Sequence, residues 1–261
     1  MKKLWFLAMA CHMFFAVSPV LGNQPTTLYA NQRIVASEPG KFKYEQQHFY
    51  WSAIALRSAA PRNWDMALYT DDSYVDRVAF SDLGAGLVDI IAVDYNHAPT
   101  GVEGVKVLLA EGSWNYSIEF DVSIKHLDTY AENGPFFYWP TQLIEVWEVW
   151  LSSGESFLFK LDNLDELSDP GIALFDSDQS HYYRERKAAV AIADEQGEGK
   201  DESFIYTASH DGWYGFVVWF NTNGFNEFKI NITKNQFRIK PRYFNYVERL
   251  KPVVPQPIKK P

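Results

Sequence analysis

The chain has 261 residues, with 24 Lys and Arg against 33 Asp and Glu, a single cysteine and 16% aromatic residues. So acidic a chain offers no basic face for phosphates, which argues against nucleic acid as a partner, and one cysteine excludes an internal disulfide framework. Aromatic and β-branched residues suit pleated, half-buried surfaces, so the composition predicts a sizeable β core rather than disorder.

The N-terminus places Lys2 and Lys3 before an apolar run from Leu4 to Val17, followed by Ser18-Pro19-Val20-Leu21-Gly22. A basic start, a short apolar stretch and small residues before a polar Asn23 describe a secretory signal peptide over residues 1–22, cleaved after Gly22. An uncleaved anchor is the alternative, and His12 and Pro19 interrupt it; a lipoprotein reading through Cys11 lacks the usual leucine three residues earlier. Cleavage removes Cys11, Lys2 and Lys3 and leaves 22 basic against 33 acidic residues, a net charge of −11. The mature chain then has no membrane span and is expected in the periplasm or outside the cell. A cysteine-free exported protein fits bacterial secretion, with stability drawn from packing or bound ions.

In chain order, Ile34-Val35-Ala36 reads as an edge strand, and Phe49 to Arg57 alternates as a clear one. Asn63 to Asp72, Val78 to Phe80, Val88 to Asp94, Val105 to Leu109 and Trp114 to Phe120 follow as short strands. Turn signals separate them roughly every 8 to 12 residues, the mark of an all-β sandwich. The rhythm lapses over 123–140, where Glu132-Asn133-Gly134-Pro135 is strong turn chemistry, and this stretch is expected to be a linker. Strands resume over Leu143 to Leu151, Ser156 to Leu161, Asp169 to Asp178, Ala188 to Ala193, Ser203 to Ala208, Trp213 to Phe220 and Glu227 to Ile232. A helix over Tyr183 to Ala193 is an alternative on propensity. The tail, 237–261, is basic and proline-rich and predicts an extended linker end or a docking tail.

One stretch returns. Asn63 to Asp72 (NWDMALYTDD) is echoed 106 residues later by Asp169 to Asp178 (DPGIALFDSD), and Asn115 to Phe120 is echoed by Glu227 to Ile232 in the same apolar phase. The expected architecture is all-β: two tandem jelly-roll-like antiparallel β-sandwich modules, 28–122 and 141–236, after the signal peptide. A single larger sandwich is the alternative.

In the second module Phe157-Leu158-Phe159-Lys160-Leu161, Asp169 to Phe175, Asp211-Gly212-Trp213-Tyr214-Gly215-Phe216 and Phe228 to Ile232 fall in an order that resembles the bacterial pre-peptidase C-terminal domain. The first module is similar at Trp64 to Tyr69, with Asp65 at the family's acidic position, but lacks the Asp-Gly-aromatic step. The resemblance implies jelly-roll-like sandwiches and an exported, non-catalytic role in folding, adhesion or binding. The peptidase domain that usually accompanies such modules does not stand between the leader and the first of them.

Catalytic patterns are absent. His48, His97, His126, His181 and His210 are isolated in sequence, so no zinc-protease pair exists, and there is no G-x-S-x-G elbow or phosphate loop. Asp94, His97 and Ser117 remain a triad that only folding could assemble. The carboxylates Asp162, Asp165, Asp169, Asp176 and Asp178 flank the echo strand and offer hard oxygens of the kind calcium takes; solvated surface acids are the competing account. Phe136, Tyr138 and Trp139 could bind a partner, or pack between the modules. The sequence thus supports an exported non-catalytic binding or structural accessory, with or without calcium, whose partner is an extracellular or periplasmic protein or a polysaccharide. A secreted hydrolase with a site between the modules is the alternative from another class, and a polysaccharide-binding module the third reading.

Overall fold

A strand with one buried face alternates apolar and polar residues, whereas a strand covered on both faces reads as a continuous apolar run. This chain contains both kinds, and their distribution sets the architecture. The computed structural model describes residues 24–46, 50–58, 63–111, 115–123, 125–138, 142–177, 180–194, 197–222 and 226–234. The leader and the proline-rich tail lie outside the described residues.

The first half forms β1 (Thr26–Thr27), β2 (Ile34–Ala36), β3 (Gly40–Gln46), β4 (Trp51–Ser58), β5 (Asn63–Tyr69), β6 (Arg77–Ser81), β7 (Val88–Asp94), β8 (Gly101–Glu111) and β9 (Tyr116–Val122). The second forms β10 (His126–Leu127), β11 (Ala131–Tyr138), β12 (Ile144–Leu151), β13 (Ser156–Asn163), β14 (Pro170–Phe175), β15 (Tyr183–Glu185), β16 (Ala191–Ala193), β17 (Glu202–Thr207), β18 (Gly212–Phe220) and β19 (Asn226–Lys234). Four sheets result: sheet I in the order β1-β3-β8-β5-β6, sheet II β15-β7-β4-β9-β2, sheet III β10-β12-β18-β14-β16 and sheet IV β11-β19-β13-β17. Sheets I and III have the same order once β3 is matched to β12, β8 to β18 and β5 to β14, down to the parallel partners β1 and β10. Sheets II and IV match likewise, with β15 as an addition. The two halves are copies of one topology, and the echoed stretches fall on the equivalent pairs β5/β14 and β9/β19.

The sandwiches do not sit apart on a linker. Met66, Leu68, Val105 and Val107 of sheet I pack against Ile54, Leu56, Ile91 and Ile118 of sheet II. Phe157, Phe159 and Ile230 of sheet IV pack against Leu174, Phe216 and Val218 of sheet III. A third core joins the outer faces of sheets II and III through Trp51, Ala53, Ala55 and Ala92 on one side and Ala173, Val217 and Trp219 on the other. The result is a four-layered stack in the order I, II, III, IV. It explains the burial pattern: β7 and β14 are buried at every position and β18 from Tyr214 onward, whereas β3 and β17 alternate. Small residues let the inner sheets approach. A Cβ at Gly215 would lie 2.4 Å from the Trp51 ring, and one at Gly171 would lie 2.2 Å from Trp219.

Two expectations are corrected and one alternative falls away. Residues 123–140 are not a linker, because β10 runs parallel to β12 and β11 pairs with β19 as the edge of sheet IV. Gly134-Pro135 misled because it sits at a register shift between Asn133 and Phe136, and proline is tolerated at bulges and on edge strands. The 141–236 boundary also leaks: β15 leaves the second half to pair with β7 in the first sandwich. The Tyr183 hydroxyl donates to Glu103 Oε1 at 3.1 Å, and the Asp94 amide donates to the Tyr182 carbonyl at 2.9 Å. Finally, Tyr183 to Ala193 is not a helix; a three-residue 3-10 turn, Arg186–Ala188, separates β15 from β16.

Candidate functional site at the seam between the sandwiches

Buried carboxylates fasten sheet II to sheet III. Glu119 and Asp121 lie two apart on β9 and so share a face. Glu119 Oε2 accepts the Leu143 amide at 2.7 Å, and Asp121 Oδ2 accepts the Val146 amide at 2.8 Å. Glu148 on β12 works in the opposite direction, its Oε1 accepting the Trp51 amide at 2.8 Å. Burial, reinforced by the Asp121 charge, pushes Glu119 up to about 8 although the Leu143 amide, Arg33 and Arg57 oppose it. Burial likewise pushes Asp121 up to about 7 against the Val146 and Val122 amides. Glu148 is raised by burial, against hydrogen bonds from Trp51 and Asn96.

At the Glu148 end of the seam sheet III runs on beyond sheet II and forms a notch. Trp150 and Trp213 are cross-strand partners on β12 and β18, on the face of sheet III that elsewhere packs against sheet II. Here that face is only partly covered: Trp150 is 46% exposed and Trp213 half-buried. Its ring meets Trp213 edge-on at 5.4 Å, and Trp213 lies 4.5 Å from the His126 imidazole, which in turn meets Tyr50 at 6.2 Å. The Trp213 carbonyl accepts the Trp51 indole N–H at 3.0 Å, so the buried seam tryptophan supports this aromatic floor.

Polar groups bound the notch. Asn96 Nδ2 donates to Glu148 Oε1 at 3.2 Å, and His126 Nδ1 lies 3.4 Å from Glu148 Oε2. Asp94, wholly buried, takes the Asn96 amide on Oδ1 at 3.0 Å and both His97 Nδ1 (2.8 Å) and the Ser177 hydroxyl (3.2 Å) on Oδ2. His210 Nε2 donates to the Ser177 carbonyl at 2.8 Å and lies 3.1 Å from Asp176 Oδ1, the former being the aligned hydrogen bond. One connected set of side chains thus runs from His210 through Asp94 and Glu148 to the tryptophans.

The residues singled out from the sequence fare unequally. Asp94 and His97 come together, but Ser117 does not join them. Asp94 faces Trp51 across β4 while Ser117 faces Arg57, six residues along the strand and roughly 20 Å away. The carboxylates proposed for calcium are divided by β14, since Asp169 precedes it and Asp176 follows it, again roughly 20 Å apart at strand spacing. Asp162 pairs with Lys160 and accepts Asn231 Nδ2 at 2.6 Å. Asp165 Oδ1 takes the Leu167 amide at 3.0 Å within its own loop; Asp178 lies outside the described residues. Among the described residues no group of three or more His, Cys, Asp and Glu is placed to hold an ion. Phe136 packs on Trp147 at 5.2 Å and Phe228 at 5.6 Å, within the second sandwich rather than between the two. Trp139 and the Tyr138 side chain lie outside the described residues. Sequence reasoning missed Trp150, Trp213 and His126. The available signal was phase: Trp147, Val149 and Leu151 are the core face of β12, and Trp150 falls out of that phase at the strand's end.

A second concavity, of about 390 Å³, opens on the first sandwich between Tyr29, Glu45, Gln46 and Phe120. Gln46 is buried and its Nε2 makes no hydrogen bond.

No protein-family model matches this chain, and no curated protein does. Solved structures share only a distant likeness. A candidate secreted protein from Eubacterium rectale is 9% identical over 76% of this chain and 71% of its own, with a TM-score of 0.24. The ANX1 ectodomain from Arabidopsis thaliana is 8% identical over 78% and 83%, with a TM-score of 0.25. Tripeptidyl peptidase 2 is 10% identical over 80% of this chain but 24% of its own, also at 0.25. Scores this low assign neither family nor activity. No helix among the described residues is long and apolar enough to cross a membrane.

Proposed function

We propose that the protein is an exported, non-catalytic binding protein that works as one rigid double sandwich and presents the notch at its seam to a partner. The observation that supports this most is the exposed Trp150 beside half-buried Trp213, with hydrogen-bonding groups around them, since a binding site combines an apolar floor with a few placed polar groups. Tryptophans on a fixed sheet bring large contact area at low conformational cost, as interface anchors do. The leader and the resemblance to pre-peptidase C-terminal domains support export and a non-catalytic role.

A hydrolase is the second reading, favoured by the 2.8 Å contact of His97 with Asp94. The only hydroxyl bonded to that pair among the described residues, Ser177, donates to the carboxylate and not to the imidazole, whereas nucleophilic catalysis needs the base on the hydroxyl. One experiment separates the readings. The full chain is produced in a bacterial host, the exported fraction is recovered, and its N-terminus is sequenced and assayed on ester, peptide and glycoside substrates. An N-terminus at Asn23 and no turnover are expected. Turnover that disappears in His97→Ala would overturn the proposal.

A further inference from the structure

We propose that two copies of the chain pair edge to edge through β17, antiparallel about a two-fold axis at Ile205, and so join their fourth sheets into one continuous sheet. The inference goes beyond the binding reading above and does not depend on it.

β17 ends sheet IV, hydrogen-bonded to β13 on one side. Among the described residues no strand pairs with its other side. The Ala208 amide donates to the Glu155 carbonyl at 3.0 Å, toward β13. Backbone groups alternate in direction along an antiparallel strand, so Phe204 and Tyr206 also bond toward β13. Ser203, Ile205 and Thr207 therefore turn their N–H and C=O groups outward, away from the sheet.

An open edge is a template for another strand, and proteins blunt it with short strands, charges, proline or bulges. The other described edges carry such devices. β11 has Pro135 at a register shift, and the Phe80 amide of β6 is taken by Glu185 Oε1 at 3.2 Å. β1, β2, β10, β15 and β16 are two or three residues long. β17 has six residues, Glu202 to Thr207, with no proline, lysine or arginine and no register shift. Its central Ile205 is 52% exposed, and on the adjacent β16 side Val190 and Ile192 are 37% and 46% exposed.

The sequence of the edge selects its partner. Ser203-Phe204-Ile205-Tyr206-Thr207 reads hydroxyl, aromatic, aliphatic, aromatic, hydroxyl in either direction. An isologous contact must be self-complementary about its axis, and an antiparallel strand pair achieves this through such a palindrome. With the axis at Ile205, that residue meets its own copy, Ser203 meets Thr207 and Phe204 meets Tyr206. Aromatic and aliphatic cross-strand pairs of this kind stabilise a sheet. Glu202 falls opposite Ala208, so no two carboxylates face each other. The aromatic rings are already fixed from within, Phe204 by Phe159 at 5.1 Å and Tyr206 by Tyr214 at 5.7 Å. A foreign strand would need only the open backbone; the palindrome is what self-pairing needs.

The test follows the mass of the exported full chain by light scattering and sedimentation over roughly 1–100 μM. A concentration-dependent dimer is expected. Ile205→Lys sets two ammonium groups against each other at the axis and should weaken association by about tenfold or more. Ile205→Pro removes one outward amide, which an edge strand tolerates, and should also leave a monomer. Ile205→Val should still dimerise, and so should Phe137→Lys, at a side chain 70% exposed on the opposite edge strand. Thermal melts check that each variant folds. A monomer throughout this range overturns the proposal, as does a dimer indifferent to both Ile205→Lys and Ile205→Pro. A monomer that captures an extended peptide, and loses it in Ile205→Pro, shows that the edge serves a foreign strand and overturns self-pairing.

Discussion

β5 and β14 are the same strand of one topology used twice, yet their second faces live in opposite surroundings. In both, Met66/Ile172 and Leu68/Leu174 enter the core of their own sandwich. The alternate residues Asp65, Ala67 and Tyr69 of β5 lie on the outer face of sheet I, where Asp65 is half-buried and bonded to Asn63. Their counterparts Gly171, Ala173 and Phe175 lie in the seam against sheet II, and Gly171 has the Trp219 ring where its Cβ would be. The same exchange occurs on the neighbouring strand, where exposed Leu108 is replaced by buried Trp219. The divergence of the two copies at these positions therefore reflects layer position rather than ligand chemistry: one copy ends a stack and the other lies inside it.

Swapping residues between the copies tests this most severely. Gly171→Asp puts a side chain into the Trp219 ring and an unpaired charge into an apolar seam; overpacking costs about 1–3 kcal/mol and the stranded charge adds to it. Failure to accumulate as folded protein is the expected outcome. The reciprocal Asp65→Gly should cost about 0.5–1 kcal/mol, the penalty of glycine in a strand. Urea unfolding of both variants checks the asymmetry, and comparable losses at the two sites would mean that the seam is not packed as described. The neighbouring position gives the next effect. Trp219→Ala should cost about 3–5 kcal/mol as a large buried ring is lost, whereas Leu108→Ala, at an exposed position, should stay within about 0.5 kcal/mol.

How much of this was legible follows from the same layers. The duplication was readable because the core-facing residues of β5 and β14 are alike in kind between the copies. Of the outer-sheet strands, β17 was readable because it alternates; β3 alternates as well, yet Gly40 to Gln46 went unread because its polar Lys41, Lys43 and Glu45 resemble a loop. The stacking was not readable, since a continuous apolar run such as Ile90 to Val93 announces a second covered face without naming what covers it. The edge strand β11 was hidden by Gly134-Pro135, whose turn signal marks a bulge here. The notch was unreadable for a different reason: Trp150 and Trp213 are 63 positions apart and meet only through the register of β12 against β18. Asp94 and His97, by contrast, are three apart and were visible as a pair.

The seam and the surface should also differ in pH response. Glu119 and Asp121 hold protons in the fold up to about 8 and about 7, well above the ordinary carboxylate range. Between that range and those values the folded chain binds more protons than the unfolded one, so their contribution to stability falls as pH rises. Glu155 at the surface, lowered by its hydrogen bond to Lys234, acts in the reverse sense and loses its contribution only in acid. Thermal melts are expected to show a midpoint that declines from pH 5 to pH 8. Glu119→Gln, which keeps an acceptor for the Leu143 amide, should flatten that decline. A wild-type midpoint rising over this interval would show that these carboxylates are ionised in the fold.

The smallest effect concerns the acidic turns that follow the two copies. After β5, Asp71 takes the Ser73 amide on Oδ1 at 2.9 Å and Asp72 pairs with Lys43 at 3.0 Å. After β14, Asp176 lies against His210. In both turns carboxylates already have protein partners, and the remaining acids near β14 are distributed along its length. A calcium site filled at 100 times its dissociation constant would add about 2.7 kcal/mol, which in a chain of this size raises the melting midpoint by roughly 5–10 °C. We expect 1 mM calcium to move it by less than about 1 °C, in wild type and in Asp176→Asn alike. A rise of several degrees that Asp176→Asn removes but Asp71→Asn does not would show that the second turn has acquired a metal role which the first lacks, and that the two copies differ in chemistry as well as in packing.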